Sequence, residues 1–396
     1  MKVLINAISA RLGGAATYIT NLARSLAEMA PAGDEFVFLV PRERAAEMRS
    51  AAAGAGHVRT MECDAAGGSY ARRIWWEQFT LRGILRREQP DALFSSANFG
   101  MLRCPCPQLL LVRIPIYFSR EYISHILPEK SAAFRAETAL RRWLVCRSVA
   151  AADRLMTPSA AMLADLRRYA SLPNGRAVVN AYGVPRQRIL AAGAPRPAES
   201  GGLRVLWVSH YADHKDLGTL LEACEQLRHE GEVSFELVLT LDAVSQNGQH
   251  TALGERERRL LARLADPDGA RARKVTVRLA GVQSYDAVWP LYQSADIFVF
   301  PSLCESFGHP LAEALACGLP VLASDIAVHR EICGEAAHYF PPRDAVALTS
   351  ALRRLLQDRS LRCDLAARGS EQVKLFIWED HVSRLLSVLR SLSFPE

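Results

Sequence analysis

Hydrophobic positions along this chain alternate between two rhythms. Short apolar runs rich in Val, Ile, Leu and Phe are separated by longer stretches in which apolar residues recur every three or four positions. The run Lys2–Ile8 reads as a buried strand. It is followed by Arg11-Leu12-Gly13-Gly14-Ala15-Ala16 and a helical pattern with Ile19, Leu22, Ala23, Leu26 and Met29 on one face. Further strands are predicted at Glu35–Val40, Ala92–Ser95 and Leu109–Ile114, each after a stretch able to hold a crossover helix. Alternation of this kind predicts a parallel sheet covered by helices on both faces.

No periodic pattern crosses 191–202, where Ala, Pro, Gly and Ser concentrate as in a linker. Beyond it the alternation restarts. Strands are predicted at Leu203–Ser209, Phe235–Leu241, Val275–Ala280, Ile297–Pro301 and Pro320–Ala323. Helices fall at Asp216–Leu227, Gly254–Leu264, Pro310–Ala316 and near Tyr285–Gln293. The prediction is an α/β chain of two doubly wound parallel-sheet domains, 1–190 and 203–376. Ligands of such sheets lie outside the carboxyl ends of the strands, so two facing domains would share a cleft. The tail from Phe376 and Trp378 into Leu385, Leu386, Val388 and Leu389 reads as an amphipathic helix over 377–396.

Composition then narrows the function classes. At 396 residues, 49% hydrophobic and 23% charged, the chain supports two cores and is neither disordered nor fibrous. No apolar run approaches the roughly 20 residues of a membrane span. The opening Met1-Lys2-Val3-Leu4-Ile5-Asn6 breaks early for a secretory signal, so a cytoplasmic location is expected. Nine cysteines without a Cys-x-x-Cys pair read as reduced thiols. The net charge of +6 conceals a split: residues 1–190 carry 26 Lys+Arg against 15 Asp+Glu, and residues 191–396 carry 22 against 27. The basic half points to an anionic partner, either a diphosphate-linked acceptor or a phospholipid surface at the inner face of the plasma membrane; an Arg-rich surface without a partner is the plain alternative. Nucleic acid is set aside, because no interleaved aromatic and basic motif of the usual modules is present. Phe134, Leu140, Trp143 and Leu144 among Arg135, Arg141, Arg142 and Arg147 form a basic amphipathic helix, either packed in the ordinary way or resting on anionic lipid.

The densest chemistry lies between Phe300 and Val321. A strand runs into the loop Pro301-Ser302-Leu303-Cys304-Glu305-Ser306-Phe307-Gly308-His309 and then a helix, with Pro310 suited to its first position, Glu313 to its first turn and Gly318 to its end. Backbone N–H groups from Phe307 to Leu311 would then face outward as an anion site. Glu305 and Glu313 bracket that site. Carboxylates repel phosphate, so hydroxyls are their expected partners, each charged hydrogen bond being worth ~1.5–3 kcal/mol. The plainer reading makes Glu313 a helix-dipole partner and Glu305 a solvated charge. A second constellation, Ser209-His210-Tyr211-Ala212-Asp213-His214-Lys215-Asp216-Leu217, ends the first strand of the second half. Lysine occurs only at 2, 130, 215, 274 and 374 among 48 basic residues, so a compact ammonium at 215 stands out. Gly13-Gly14 lets a backbone approach a phosphate closely. The full Gly-x-Gly-x-x-Gly pattern is missing, against a dinucleotide-binding oxidoreductase.

The stretch from Pro301-Ser302 through Glu305-x-Phe307-Gly308-x-Pro310, Glu313-Ala314 and Gly318-x-Pro320-Val321 resembles the Glu-x7-Glu signature of the family-four retaining glycosyltransferases. That resemblance implies a GT-B fold: two Rossmann-like domains facing a cleft, with a C-terminal helix crossing back to the N-terminal domain. It implies that a nucleotide-diphosphate sugar is the donor, in a cleft where Glu305 holds hydroxyls of the transferred sugar and Glu313 the ribose. Lys215, the Ser306-Phe307-Gly308-His309 backbone and Gly13-Gly14 would surround the diphosphate. His210 stands where the family has Arg, a departure that lowers positive charge near the phosphates. Many relatives carry an acceptor-side His after the fourth strand; here Arg113 and Tyr117 are the acceptor candidates. The implied acceptor is a glycan or a polyprenyl-diphosphate-linked glycan, with polysaccharide or lipopolysaccharide as product. Trp76-Glu77-Gln78 and Asn180-Ala181-Tyr182-Gly183-Val184 are similar to bacterial surface-glycan enzymes. Asp266-Pro267-Asp268-Gly269 matches a metal-binding Asp-x-Asp pattern of another glycosyltransferase fold but reads as a turn. No metal and no cofactor are expected, and Lys215 with the helix N-terminus would neutralise the leaving diphosphate. A non-catalytic partner subunit, or a phosphorylase or sugar-nucleotide epimerase of the same fold, stays open on sequence.

Overall fold

The computed structural model describes residues 1–11, 13–31, 33–52, 54–63, 70–173, 175–191, 202–241, 253–265 and 274–394. Two compact units emerge. The first is Met1–Ile123 with Pro128–Ala181 and Trp378–Glu396; the second is Ser124–Leu127 with Tyr182–Ile377.

The first unit is built on seven parallel strands: β1 (Lys2–Asn6), β2 (Glu35–Pro41), β3 (Val58–Cys63), β4 (Ala92–Ser95), β5 (Gln108–Leu111), β6 (Arg154–Thr157) and β7 (Ala177–Val179). Their order is β3-β2-β1-β4-β5-β6-β7. β1 lies between β2 and β4, with Val3 opposite both Phe36 and Ala92, and Val3, Leu4 and Ile5 are fully buried. A strand apolar on both faces demands cover on both faces, which the crossover helices supply. The helix Trp378–Ser393 is part of that cover. Val382, Leu385 and Leu389 are fully buried, and the Trp378 indole N–H donates to Ser25 Oγ at 2.8 Å. Strand order reverses between β1 and β4, which makes their carboxyl ends the switch point where ligands of such sheets bind.

The second unit repeats the plan with six strands: β8 (Leu203–Trp207), β9 (Phe235–Leu239), β10 (Val275–Leu279), β11 (Ile297–Phe300), β12 (Val321–Ser324) and β13 (Ala337–Phe340). The order is β10-β9-β8-β11-β12-β13, every pair parallel. The switch point falls between β8 and β11. Leu220, Leu221, Cys224 and Leu227 of the helix Leu217–Glu230 fill one side of this sheet together with Leu348, Leu352 and Leu355.

Strands β3, β6, β7 and β13 carry no clear signal in the hydrophobic pattern. β3 reads Val-Arg-Thr-Met-Glu-Cys because it is an edge strand half open to solvent, and β7 is a short strand at the other edge. The chain enters the second unit at Tyr182, ahead of the expected linker, of which 192–201 lie outside the described residues. The helix Arg186–Ala191 belongs to the second unit because Arg188 bonds Asp286 at 2.8 Å and lies over the Trp289 ring. In the helix Ala132–Ala151, Thr138, Val145, Ser148 and Val149 are buried while Phe134, Leu140 and Trp143 stay exposed, so ordinary packing accounts for only one of its faces. None of the described helices is long and apolar enough to cross a membrane. The cysteines carry free thiols, with Cys104 and Cys106 Sγ 3.8 Å apart.

Candidate functional site

Two loops leave the carboxyl ends of β8 and β11 at the switch point of the second unit. After β8 the chain makes a 3-10 turn, Asp213–Lys215, and Asp216 in the left-handed region (φ 47°) redirects it into the helix Leu217–Glu230. That reversal buries Lys215 against the β11 loop. Its Nζ lies 2.5 Å from Glu305 Oε1, with the two side chains 9% and 12% exposed. The ammonium also sits 5.5 Å from the Phe300 ring centre. Sequence reasoning assigned Lys215 and Glu305 to different parts of a ligand, and the fold joins them as a buried ion pair.

A buried polar network sets that pair in place. The Leu303 N–H donates to the His214 carbonyl at 2.7 Å, and the Ser302 hydroxyl donates to the same oxygen at 3.1 Å. The Ser302 carbonyl in turn accepts from Ser324 Oγ at the end of β12. His329 Nδ1 donates to the Ser324 carbonyl at 2.9 Å. Ser302, Ser324 and His329 are fully buried. Burial alone would raise the Glu305 pKa, but the field of Lys215, with His214 and hydrogen bonds from Lys215 and Ser302, holds it below the ordinary carboxylate value. Burial, reinforced by Lys215, lowers His214 to about 4, so that imidazole is neutral near pH 7.

Glu313 lives in a different field. The helix His309–Ala316 starts one residue earlier than its sequence implies, so Pro310 is its second residue and Glu313 falls in its second turn rather than its first. Glu313 is buried, and its Oε2 accepts from the Tyr292 hydroxyl at 2.8 Å. Burial pushes its pKa to about 7, and the Tyr292 hydrogen bond offsets this only in part. The helix-dipole reading does not suit a side chain in the second turn, and the solvated-charge reading of Glu305 fails on burial. The helix is entered through Gly308, whose φ of 87° suits glycine. The Leu311 N–H donates to the Gly308 carbonyl at 2.9 Å, which removes it from the expected outward-facing set. Phe307 is fully buried and His309 half-buried; Tyr182 stacks on the His309 ring at 4.9 Å and meets Phe307 edge-on at 5.6 Å. Ser306 is half-buried and His210 exposed.

The remaining candidates lie in the first unit. Gly13 and Gly14 form the first turn of the helix Gly13–Met29. Arg113 follows β5 with its backbone N–H on Asn98 Oδ1 at 2.7 Å and its guanidinium over the Tyr18 ring at 5.3 Å. Tyr117 is 3% exposed and packs in a hydrophobic cluster with Phe118, Val145 and Val149, a core position rather than an open acceptor contact. Sequence reasoning placed Ser302 only as part of the Pro301-Ser302 motif, and it missed Tyr292, Ser324 and His329. Tyr292 carried only the signal of an apolar helix face, and the others reach the site through pairing of strands distant in sequence. Among the described residues no group of three or more His, Cys, Asp or Glu side chains is placed to hold a metal ion, and Asp266–Gly269 lie outside them.

Both halves of the chain match families of known proteins. Residues 202–358 match the model for glycosyl transferases group 1, and residues 12–188 match the model for glycosyltransferase family 4. The O-antigen chain mannosyltransferase B of Escherichia coli is 37% identical over 102 residues, 26% of this chain and 27% of that protein. The match thus spans about a quarter of this curated relative's length. Sucrose-phosphate synthase of Thermosynechococcus elongatus superposes with a TM-score of 0.72 at 20% identity, covering 99% of both chains. The Anabaena protein HepE, solved with UDP and glucose, superposes with a TM-score of 0.67 at 14% identity, covering 99% of this chain and 100% of that one. Matched through both of its halves, and built on two parallel α/β sheets of GT-B type, the chain belongs to the family-four glycosyltransferases.

Proposed function

We propose that the chain is a retaining glycosyltransferase that moves a hexose from a nucleoside diphosphate sugar to a glycan or lipid-linked acceptor, in polysaccharide or lipopolysaccharide assembly. The observation that carries this reading is the buried Lys215–Glu305 pair standing with Glu313 at one switch point. When the donor binds, its diphosphate takes the Lys215 ammonium, and the released Glu305 oxygens accept hydroxyls of the sugar. Glu313 accepts the ribose hydroxyls, and the backbone entering the helix His309–Ala316 faces the phosphates. Lys215 then stabilises the charge that develops on the leaving diphosphate, so no metal is required. No side chain is assigned as nucleophile; the leaving phosphate takes the acceptor proton on the face it departs from, which returns the starting anomeric configuration. The mannosyltransferase relative and the UDP-bound fold neighbour support a nucleotide-sugar donor. The exposed Phe134, Leu140 and Trp143 beside Arg135 and Arg142 supply a surface suited to anionic lipid.

The test is thermal unfolding with UDP, GDP and ADP, for the parent and for Lys215→Ala and Glu313→Gln. A nucleotide at 100 times its dissociation constant stabilises by roughly 2.7 kcal/mol. One nucleotide should raise the melting temperature of the parent and of neither variant. Equal shifts in all three proteins, or none in the parent, overturn the assignment. The anomeric proton coupling of the isolated product, read by NMR, decides retention, and activity persisting in excess EDTA decides the metal question.

A further inference from the structure

The switch point of the first unit, between β1 and β4, also holds a buried carboxylate, apart from the donor-site contacts of the second unit. Glu77, in the helix Tyr70–Gln78, is 2% exposed. It reaches the carboxyl end of β1, where Asn6 Nδ2 donates to its Oε1 at 3.2 Å. Arg73 is its ion-pair partner, yet both Nε and Nη2 of Arg73 converge on that same Oε1, each at 3.2 Å. Arg–carboxylate pairs frequently take the two-pronged form that engages both oxygens. Here Oε2 is buried and meets no hydrogen-bond partner. A carboxylate oxygen left so is costly and calls for a partner that the folded chain does not itself supply.

The surroundings are tied together by hydrogen bonds. Arg73 also donates to the Ala97 carbonyl in the loop after β4 and lies over the Phe99 ring. Ser96 Oγ donates to the Asn6 carbonyl at 2.7 Å, locking the end of β1 to that loop. Gln78, next to Glu77, grips the loop from the far side, donating to the Gly100 carbonyl at 3.1 Å and accepting from the Leu102 N–H at 2.9 Å. Arg73 is the more exposed partner, at 19% against 3% for Glu77, so the guanidinium lies on the solvent side of the carboxylate. What then fits is a neutral donor of hydrogen bonds. A phosphate is repelled by the carboxylate, and an apolar group leaves Oε2 unsatisfied.

We infer that Glu77 is the hydroxyl-binding residue of an acceptor-side subsite in the first unit, with Oε2 accepting a hydroxyl of a sugar or cyclitol. This rests on the glycosyl-transfer reading, which supplies a polyhydroxylated second substrate. Saturation-transfer NMR with methyl α-D-mannopyranoside, methyl α-D-glucopyranoside and myo-inositol at millimolar concentration tests it on the full chain. The parent should transfer saturation to at least one of the three. Glu77→Gln, which turns the free acceptor into a donor while leaving an oxygen for Arg73, should bind that probe at least tenfold more weakly with its UDP or GDP melting shift intact. Glu77→Asp keeps the charge but withdraws the oxygen; it should weaken the same probe and stands in if the Gln variant does not fold. Unchanged probe affinity in the folded variant, or a parent that binds none of the three, overturns the inference. Absence of any nucleotide shift in the parent instead overturns the donor-site reading, so the two failures are distinguishable.

Discussion

Glu313 shows how a single residue type takes its chemistry from its surroundings. Its neighbour in sequence space, Glu305, is held ionised by an ammonium, whereas Glu313 has only a phenol hydroxyl to set against burial. Its folded pKa of about 7 stands above the ordinary 4.5, so between those values the folded chain keeps a proton that the unfolded chain has released. Folding stability therefore falls as pH rises through that window. Urea unfolding at pH 5 and pH 8 should show the parent losing more stability than Glu313→Gln over that interval; an identical loss refutes the assignment. His214 and His329 act with the opposite sign. Both are lowered by burial from 6.5 to about 4, so stability is lost as pH falls from 6.5 toward 4. The spacing of Glu305 and Glu313 made both legible as a pair. Their contrast in charge was not, because Tyr292 and Lys215 come from other strands and helices.

At the scale of elements, the loops after β8 and β11 do the positioning. Each redirects the chain through a left-handed residue, Asp216 in one and Gly308 in the other. A methyl group at 308 would meet Leu311 Cδ1 at 3.1 Å, whereas the helix-capping Gly231 (φ 70°) has open space around it. Gly231→Ala should therefore cost about 1 to 2 kcal/mol, the strain of the left-handed conformation alone. Gly308→Ala should cost more, because the same strain adds to a clash in a packed core. Equal losses in chemical denaturation would show that Leu311 yields freely. The strand–loop–helix run around Gly308 was readable in advance from its proline, its glycines and its apolar pattern. Its register was read one residue late, because proline is tolerated at the second helical position as well as the first, and pattern alone does not choose between them.

For the whole molecule, the last helix shows what long-range packing adds. Trp378 begins that helix but is 5% exposed and bonded to Ser25, far earlier in the chain. Trp378→Ala should destabilise the first unit by about 3 to 5 kcal/mol. Amide hydrogen exchange should register the loss in β1, β2 and β4 while β8 and β11 keep their protection; uniform loosening of both sheets would contradict it. The α/β class, the two tandem sheets and the cluster from Pro301 to Val321 are all legible in the linear chain. Those properties follow from local periodicity and from residue types whose backbone preferences act within a few positions. It takes the folded chain to show that Lys215 pairs with Glu305, that Tyr292 bonds Glu313, that Tyr117 is core, and that one oxygen of Glu77 is left without a partner. Each of those depends on which parallel strands lie side by side, and parallel neighbours are joined through long crossovers that no local pattern encodes.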